Sequence, residues 1–352
     1  MQSILPGECT PEASAGRGTA AVTGAAGFIG SHLVDLLLAQ GHRVLGLDSL
    51  AVGYSAAQKR ANLREATANP RFRLVVDDIR RARLAESLSG VDTVYHLAAK
   101  AGVQDSWHDS DIWDVNVAGA QAVLSAALTA GARRVVLASS SSVYGDSATA
   151  GGARALSPTS PYGATKAACE HLADIYARRG LDVVVLRYFT VFGPRQRPDM
   201  AMHRIIESTR PQGPAFCRRG TGEQTREYTY VSDVAAATLA AGTASRAAGR
   251  TLDIGGGCRH SLNEVIAAVT AIRGTAARVR GVPSAAGDPQ ATVADGEQAR
   301  LVLDWAPATG LHQGLAEQAA WHRRAWAAPP AQRDHDPAAT SEQNLAAATA
   351  AF

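Results

Sequence analysis

Tyr162 and Lys166 stand four residues apart in the stretch Tyr162-Gly163-Ala164-Thr165-Lys166. On a helix that spacing is just over one turn, so both side chains share a face and the ammonium can lie beside the phenol. Free tyrosine gives up its proton only near pH 10, and a neighbouring cation favours the phenolate, which makes the pair a candidate base for a hydroxyl proton. The alternative is an inert surface pair. With three lysines (Lys59, Lys100, Lys166) and eight tyrosines in the chain, about 0.07 such spacings are expected by chance. A third polar group stands close by: the apolar run Arg134–Ala138 leads into Ser139-Ser140-Ser141-Ser142-Val143-Tyr144-Gly145. In open α/β sheets ligands bind beyond the carboxyl ends of strands, so these hydroxyls are placed to enter a site.

Positioning such a base requires a scaffold, and the first part of the chain reads as one. A short apolar strand, Thr19 to Thr23, runs into Gly24-Ala25-Ala26-Gly27-Phe28-Ile29-Gly30 and then a helix from about Ile29 to Gln40. Strand, glycine turn and helix form the first half of a dinucleotide-binding unit. Gly24 allows the tight turn, Gly27 the approach of backbone to a pyrophosphate, and Gly30 close helix packing, while Phe28 and Ile29 open the helix whose N-terminus faces the anion. A second strand, Val44 to Leu47, ends in Asp48, where an acid hydrogen-bonds the adenosine ribose hydroxyls. Asp48 would repel a 2′-phosphate and Ser49 and Leu50 add no cation, so NAD is expected rather than NADP. A third strand, Phe72 to Val76, leads to Asp77-Asp78-Ile79, with a carboxylate for the adenine amino group. A fourth, Thr93 to Leu97, ends in His96-Leu97-Ala98-Ala99, whose small residues let the backbone run under a cofactor. His96 reads as a structural histidine. A helix from about Ile112 to Ala130 carries Asn116, a candidate anchor of the cofactor site. The Tyr162 helix opens with Pro158, Ser160 and Pro161, which suit a helix start. Thr251 to Ile254 is a further strand, Leu262 to Ile272 a helix, and Leu315 to Trp326 a final amphipathic helix.

At 352 residues the chain suffices for two lobes. A net charge of +3 is too small to argue for nucleic acid or membrane, and no apolar run approaches the roughly 20 residues of a membrane helix. Cys9, Cys169, Cys217 and Cys258 have no Cys-x-x-Cys spacing, so neither a metal site nor a disulfide framework is indicated, and a reducing cytoplasm fits. Residues 1–17 lack the layout of a signal peptide; they and residues 327–352 are expected to be loose tails.

The glycine loop, the Ser140-Ser141-Ser142-Val143-Tyr144-Gly145 block and Tyr162-x-x-x-Lys166 together resemble the extended short-chain dehydrogenase/reductase family, and in it the NAD-dependent nucleotide-sugar epimerases and dehydratases. The resemblance covers about residues 19 to 320. It implies a Rossmann-type doubly wound parallel sheet with a smaller interleaved C-terminal substrate domain, divided as residues 18–190 plus 225–257 for NAD and 191–224 plus 258–326 for substrate. It makes Ser140 the hydroxyl that contacts the sugar 4-OH, Tyr162 the base and Lys166 its activator, and it implies a homodimer through helices near residues 113–130 and 161–179. Dehydratases carry Asp-Glu after the catalytic Ser or Thr; Ser141 and Ser142 stand here, and neither exchanges protons near neutral pH. In Arg187-Tyr188-Phe189-Thr190-Val191-Phe192-Gly193-Pro194-Arg195-Gln196-Arg197, the Thr190 and Arg197 combination is similar to UDP-glucuronate 4-epimerases, where threonine, arginine and the two serines hold the sugar carboxylate. The chemistry explains the arrangement: oxidation at C4 creates a β-keto acid, and pinning the carboxylate out of alignment with the carbonyl prevents loss of CO2. An arginine fork binds a carboxylate bidentately. Arg226 matches the arginine that contacts the nucleotide phosphates, and Asp288 a residue of the closing substrate segment.

Three departures bear on the substrate. Ala285 stands where the family usually has a diphosphate-gripping arginine, Gln104 where many uronate epimerases have arginine, and Arg218-Arg219 where aliphatic and aromatic residues are usual. The expected partner is a small-molecule nucleotide sugar or a uronic acid glycoside without a diphosphate. The alternatives to uronate epimerisation are epimerisation of neutral UDP-hexoses, decarboxylation or net oxidation of the same acid, and a non-catalytic NAD sensor on the same fold.

Overall fold

The computed structural model describes residues 18–81, 83–149, 155–284 and 290–327. The first six strands are β1 (Thr19–Thr23), β2 (Arg43–Leu47), β3 (Phe72–Val75), β4 (Thr93–His96), β5 (Arg134–Ser140) and β6 (Asp182–Tyr188). Shorter pieces follow: β7 (Val191–Phe192), β8 (Phe216–Arg219), β9 (Thr225–Glu227), β10 (Thr229–Tyr230), β11 (Thr251–Ile254), β12 (Arg259–Ser261), β13 (Val279–Val282) and β14 (Ala291–Thr292). Seven of them build one sheet in the order β11-β6-β5-β4-β1-β2-β3, every neighbouring pair parallel. The order reverses between β1 and β4, which is the crevice where a doubly wound sheet binds its ligand.

Both faces of this sheet are covered, which is why its strands read as continuous apolar runs. Along β1, Val22 faces a core shared with Leu33, Val34 and Leu37 of helix Phe28–Ala39 and with Val234 and Ala237 of helix Val231–Thr243. Ala21 faces the opposite core, with Val123, Leu124 and Ala127 of helix Gly119–Ala130 and Cys169 and Ala173 of helix Pro161–Ala177. Each fully buried Leu or Val contributes roughly 1.5–3 kcal/mol over its exposed state. The helices Ala201–Ser208, Leu262–Arg273 and Leu311–Ala327 add Ile205, Ile206, Val265, Val269, Leu315 and Ala319 to the first of these cores. These helices are therefore continuous with one face of the sheet. The remaining strands form a β12-β9-β14 sheet and the pairs β13-β8 and β10-β7.

Local chemistry sets the helix starts. The Ser160 hydroxyl accepts the Gly163 N–H at 3.1 Å, with Pro161 in the first turn where its missing N–H costs nothing. Ser261 and Glu264 close a reciprocal capping box. The helix expected over 112–130 is present, and it contains a π-helical turn at Asp114–Ala118 before Gly119–Ala130. Among the described residues no helix is long and apolar enough to cross a membrane. The expected tails, residues 1–17 and 328–352, lie outside the described residues, and Ala327 ends the last helix.

Candidate active site

At the crevice, Gly24 takes φ 70° and its N–H donates to Leu47 O at 2.8 Å, turning the chain from β1 into helix Phe28–Ala39. A Cβ there would lie 2.8 Å from Ala98 N, and one at Gly30 would lie 2.1 Å from Gly24 O. Only glycine fits either position. Leu97, Ala98 and Ala99 run past this turn, with the Ala98 N–H bonded to Thr23 Oγ1 at 3.3 Å. Gly27 is the helix N-cap, and no side chain caps that end, so Phe28 and Ile29 follow it in a first turn whose backbone donors face an anion.

Asp48, buried at the end of β2, accepts from Ala26 N at 3.1 Å, Leu50 N at 2.8 Å and Lys59 Nζ at 3.1 Å. Three bonds leave a carboxylate room for a ribose hydroxyl. Lys59, in the helix Ala56–Asn62, is a cation that the residues immediately after Asp48 do not signal; it is itself buried and committed to Asp48. The cradle without side chains and the acid beside it fit a dinucleotide. Just past the end of β3, Asp78 is gripped by Arg80, with Nη2 at 2.6 Å from Oδ2, and these bonds hold its carboxyl below the usual range. Arg80 also reaches Asp114 at 2.7 Å. Ile79 is buried against Gly119, where a Cβ would come within 2.6 Å of its Cδ1.

The hydroxyl cluster and the tyrosine helix meet at the end of β5, which extends two residues past the expected Ala138. Ser140 Oγ donates to Ser142 Oγ and accepts the Ser142 N–H, both at 3.1 Å. Ser141 and Ser142 are half-buried in the turn that follows. Gly163, beside Tyr162, packs so tightly on this turn that a Cβ would lie 2.5 Å from Ser142 O. Lys166 Nζ donates to Ala138 O at 2.9 Å and lies 6.0 Å from the centre of the Tyr162 ring. The lysine is thus locked by the end of β5, on the face it shares with the tyrosine. Asn116, buried in the π turn, donates to Lys100 O and Thr165 Oγ1 at 3.0 Å each and accepts Lys100 N at 2.8 Å. It ties the strand after β4 to the Tyr162 helix, and a π bulge at such a position is a common functional marker. His96 is structural, as expected: Nδ1 bonds Thr23 Oγ1 at 2.8 Å, and burial, with Lys166 nearby, lowers its pKa to about 3.

Arg197 comes to the same place on a loop that is clamped from two sides. Arg195 pairs with Asp35 at 2.7 Å and His32 Nε2 bonds Pro194 O at 3.0 Å, fixing the loop to the dinucleotide helix. Arg195 does so at φ 64°, a conformation a non-glycine residue holds only when its surroundings impose it. From the other side, the buried Gln318 of the last helix accepts from Gly193 N at 3.1 Å and donates to Gln196 Oε1 at 2.7 Å. Arg197 lies within electrostatic range of Tyr162 and Tyr54. Its fork already holds Asp199, with Nε to Oδ1 at 3.0 Å and Nη2 to Oδ2 at 2.5 Å. Thr190, between β6 and β7, accepts Thr229 N through its carbonyl at 2.9 Å.

In the β12-β9-β14 sheet, Arg226 on β9 donates to Thr225 O at 2.8 Å. Arg218 on β8 donates to Asn263 Oδ1 at 3.1 Å, and its buried Nε has no partner. Asp288 and Ala285 lie outside the described residues.

Beneath the serine turn runs a buried polar network absent from the sequence reading. Ser139 Oγ donates to Glu170 Oε1 at 2.5 Å, Arg187 Nη2 to Glu170 Oε2 at 2.6 Å, Arg187 Nη1 to Tyr144 OH at 2.6 Å, and Tyr144 OH to Asp253 Oδ1 at 2.7 Å. It joins β5, β6, β11 and the Tyr162 helix into one rigid floor. Only the spacing of Glu170, one helical turn beyond Lys166 and on its face, could have signalled it.

Comparison with known proteins agrees with this geometry. The NAD dependent epimerase/dehydratase family matches residues 20–255. The chain is 39% identical over 305 residues to the Bacillus subtilis (strain 168) protein named Uncharacterized UDP-glucose epimerase YtcB, covering 85% of this chain and 96% of that one. It is 33% identical to a UDP-glucuronate 4-epimerase of Thermodesulfobacterium geofontis (strain OPF15), covering 86% and 95%. Among solved structures, UDP-glucuronic acid 4-epimerase from Bacillus cereus in complex with UDP-glucuronic acid and NAD superposes with a TM-score of 0.83 at 36% identity, covering 87% of this chain and 99% of that one.

Proposed function

The chain belongs to the NAD-dependent epimerase/dehydratase family, and from that premise we propose that it is a 4-epimerase of a hexuronic acid sugar nucleotide, interconverting UDP-glucuronate and UDP-galacturonate. The observation that carries this reading is Arg197: an arginine fork on a loop clamped to the dinucleotide helix, within electrostatic reach of Tyr162. A neutral hexose needs no such fork.

In this mechanism the Tyr162 oxygen takes the proton of the sugar 4-OH, Ser140 holds that hydroxyl in line, and Lys166 supplies the positive field that favours the phenolate. NAD, when bound, would supply reversible hydride exchange at C4. With the 4-keto sugar turned over in the site, Tyr162 gives its proton back to the C4 oxygen. Arg197, Thr190, Ser141 and Ser142 grip the carboxylate and keep its bond to C5 out of alignment with the C4 carbonyl, which suppresses decarboxylation. Arg226 serves the nucleotide phosphates, and Asp288 belongs to the closing substrate segment. We assign NAD binding to residues 18–190 plus 225–257 and substrate binding to 191–224 plus 258–326. We further propose a homodimer through the stretches 113–130 and 161–179; support comes from Trp113 and Ile175, large apolar side chains about half exposed there, at 50% and 53%. The free Cys169, Cys217 and Cys258 are consistent with work in a reducing cytoplasm.

One observation favours a second reading, epimerisation of neutral UDP-hexoses: the fork of Arg197 is already paired with Asp199. The test is incubation of the purified protein, without added cofactor, with UDP-glucuronate and separately with UDP-glucose, followed by proton NMR. UDP-galacturonate forming without loss of CO2 is the expected result. Turnover of UDP-glucose alone selects the second reading, and turnover of neither with NAD bound overturns both.

A further inference from the structure

The Arg197–Asp199 pair has the geometry of the contact a sugar carboxylate would make. Two parallel bonds, Nε to Oδ1 at 3.0 Å and Nη2 to Oδ2 at 2.5 Å, are the fork-to-fork arrangement in which arginine binds a carboxylate most strongly. An incoming uronate and Asp199 cannot both occupy it. The two partners also differ in their surroundings. The Arg197 side chain is 19% exposed and that of Asp199 41%, so Asp199 can swing into water at small desolvation cost while Arg197 stays. Among the described residues the Asp199 side chain has no other hydrogen-bond partner, and the cap of helix Ala201–Ser208 is Met200, without a side-chain bond. Asp199 is therefore not explained as a helix cap or as part of a wider network.

We infer that Asp199 is a specificity-setting residue, an internal carboxylate that competes with the substrate for the Arg197 fork. The inference rests on the uronate reading of Arg197. With no substrate, Asp199 compensates a guanidinium that lies within electrostatic range of Tyr162 and Tyr54. A uronate must displace it, and its apparent affinity is reduced by the strength of the internal pair. A neutral hexose leaves the pair intact, so it does not confront an uncompensated cation. Asp199 thus compresses the preference of the site for acids over neutral sugars.

The test compares wild type, Asp199→Asn and Asp199→Ser for kcat and KM on UDP-glucuronate and UDP-glucose, at one pH and ionic strength, with thermal melts as the check on folding. Asp199→Asn keeps the shape and removes the charge. The expected result is a KM for UDP-glucuronate lowered about tenfold, with kcat little changed, and a weaker kcat/KM for UDP-glucose, from the size of charge-assisted hydrogen bonds. In an Arg197→Met background the same substitution should leave the KM for UDP-glucuronate unchanged. If wild type turns over UDP-glucuronate but its KM rises in Asp199→Asn, Asp199 is a buttress that orients Arg197 and the inference falls. An unchanged ratio of the two kcat/KM values also overturns it, leaving the uronate reading intact. A folded wild type with no turnover of UDP-glucuronate overturns the uronate reading and this inference with it.

Discussion

Replacing Glu170 by alanine tests the floor of the site directly. Glu170 accepts from Ser139 at 2.5 Å and from Arg187 Nε and Nη2 at 3.0 Å and 2.6 Å, and the side chains of Glu170 and Arg187 are only 7% and 16% exposed. Removing the carboxylate leaves Arg187 with Tyr144 as its remaining partner here, which itself donates to Asp253. Breaking one side of a buried ion pair costs about 3–5 kcal/mol, a large share of the roughly 5–15 kcal/mol that holds a domain folded. Urea unfolding at a fixed saturating NAD concentration, so that cofactor linkage is constant, should show a loss in that range for Glu170→Ala. The double variant Glu170→Leu/Arg187→Met removes both charges and should recover most of it, because a buried pair replaced by apolar groups of similar volume is often neutral. A Glu170→Ala loss below about 1 kcal/mol, or a double variant as unstable as the single one, would refute the reasoning.

Tyr162→Phe should lower kcat by about 10²–10⁴, the range of general acid–base catalysis, while isothermal titration still shows sugar-nucleotide binding; a loss under tenfold would remove Tyr162 from the role of base. The protein should lose stability in acid: burial, with Lys166, lowers the His96 pKa to about 3, and burial, with Arg195 and His322 respectively, lowers His32 and His203 to about 4. All three lie below their unfolded value near 6.5, so the unfolded chain gains protons that the folded one refuses, and stability is present above pH 6.5 and declines from there towards pH 4, by up to about 1.4 kcal/mol per pH unit for each histidine. Urea midpoints measured across that window should fall steadily, less so in His96→Asn, and a flat profile would contradict the assignment. Ile175→Asp should turn a dimer into monomers in light scattering coupled to gel filtration, since a charge cannot be buried unpaired in an apolar interface; an unchanged mass would move the interface elsewhere.

What could be read from the chain alone was whatever the chain encodes locally. Gly24, Gly27 and Gly30 are three residues apart, and a Cβ at Gly27 or Gly30 would meet Gly24 O itself, so their spacing carries that part of the geometry. The same holds for Ser160 and Pro161 at the start of the tyrosine helix, and for Tyr162 and Lys166 on one helical face. Partners drawn from afar leave no such trace. Asn116 meets Thr165 across 49 residues and Tyr144 meets Asp253 across 109, and Gln318 fixes the Arg197 loop from 122 residues beyond Gln196. Only the folded chain makes them neighbours, as when the sheet sets β11, which carries Asp253, beside β6 and β5.

Arg197 and Asp199 mark the limit between these cases. Two residues apart in Arg197-Pro198-Asp199, they are as local as any motif, yet spacing does not tell whether the guanidinium faces the site or its neighbour. The proline restricts the residue before it to extended backbone, the Met200 N–H closes a turn on Arg197 O at 3.1 Å, and in the folded protein the fork turns back onto Asp199. A motif can therefore name the residue that recognises an acid without revealing that the chain brings its own acid to the same fork. On the reading proposed for Arg197, selectivity between uronate and hexose follows from the difference between two carboxylates competing for one guanidinium, a difference of free energies and not the presence of an arginine.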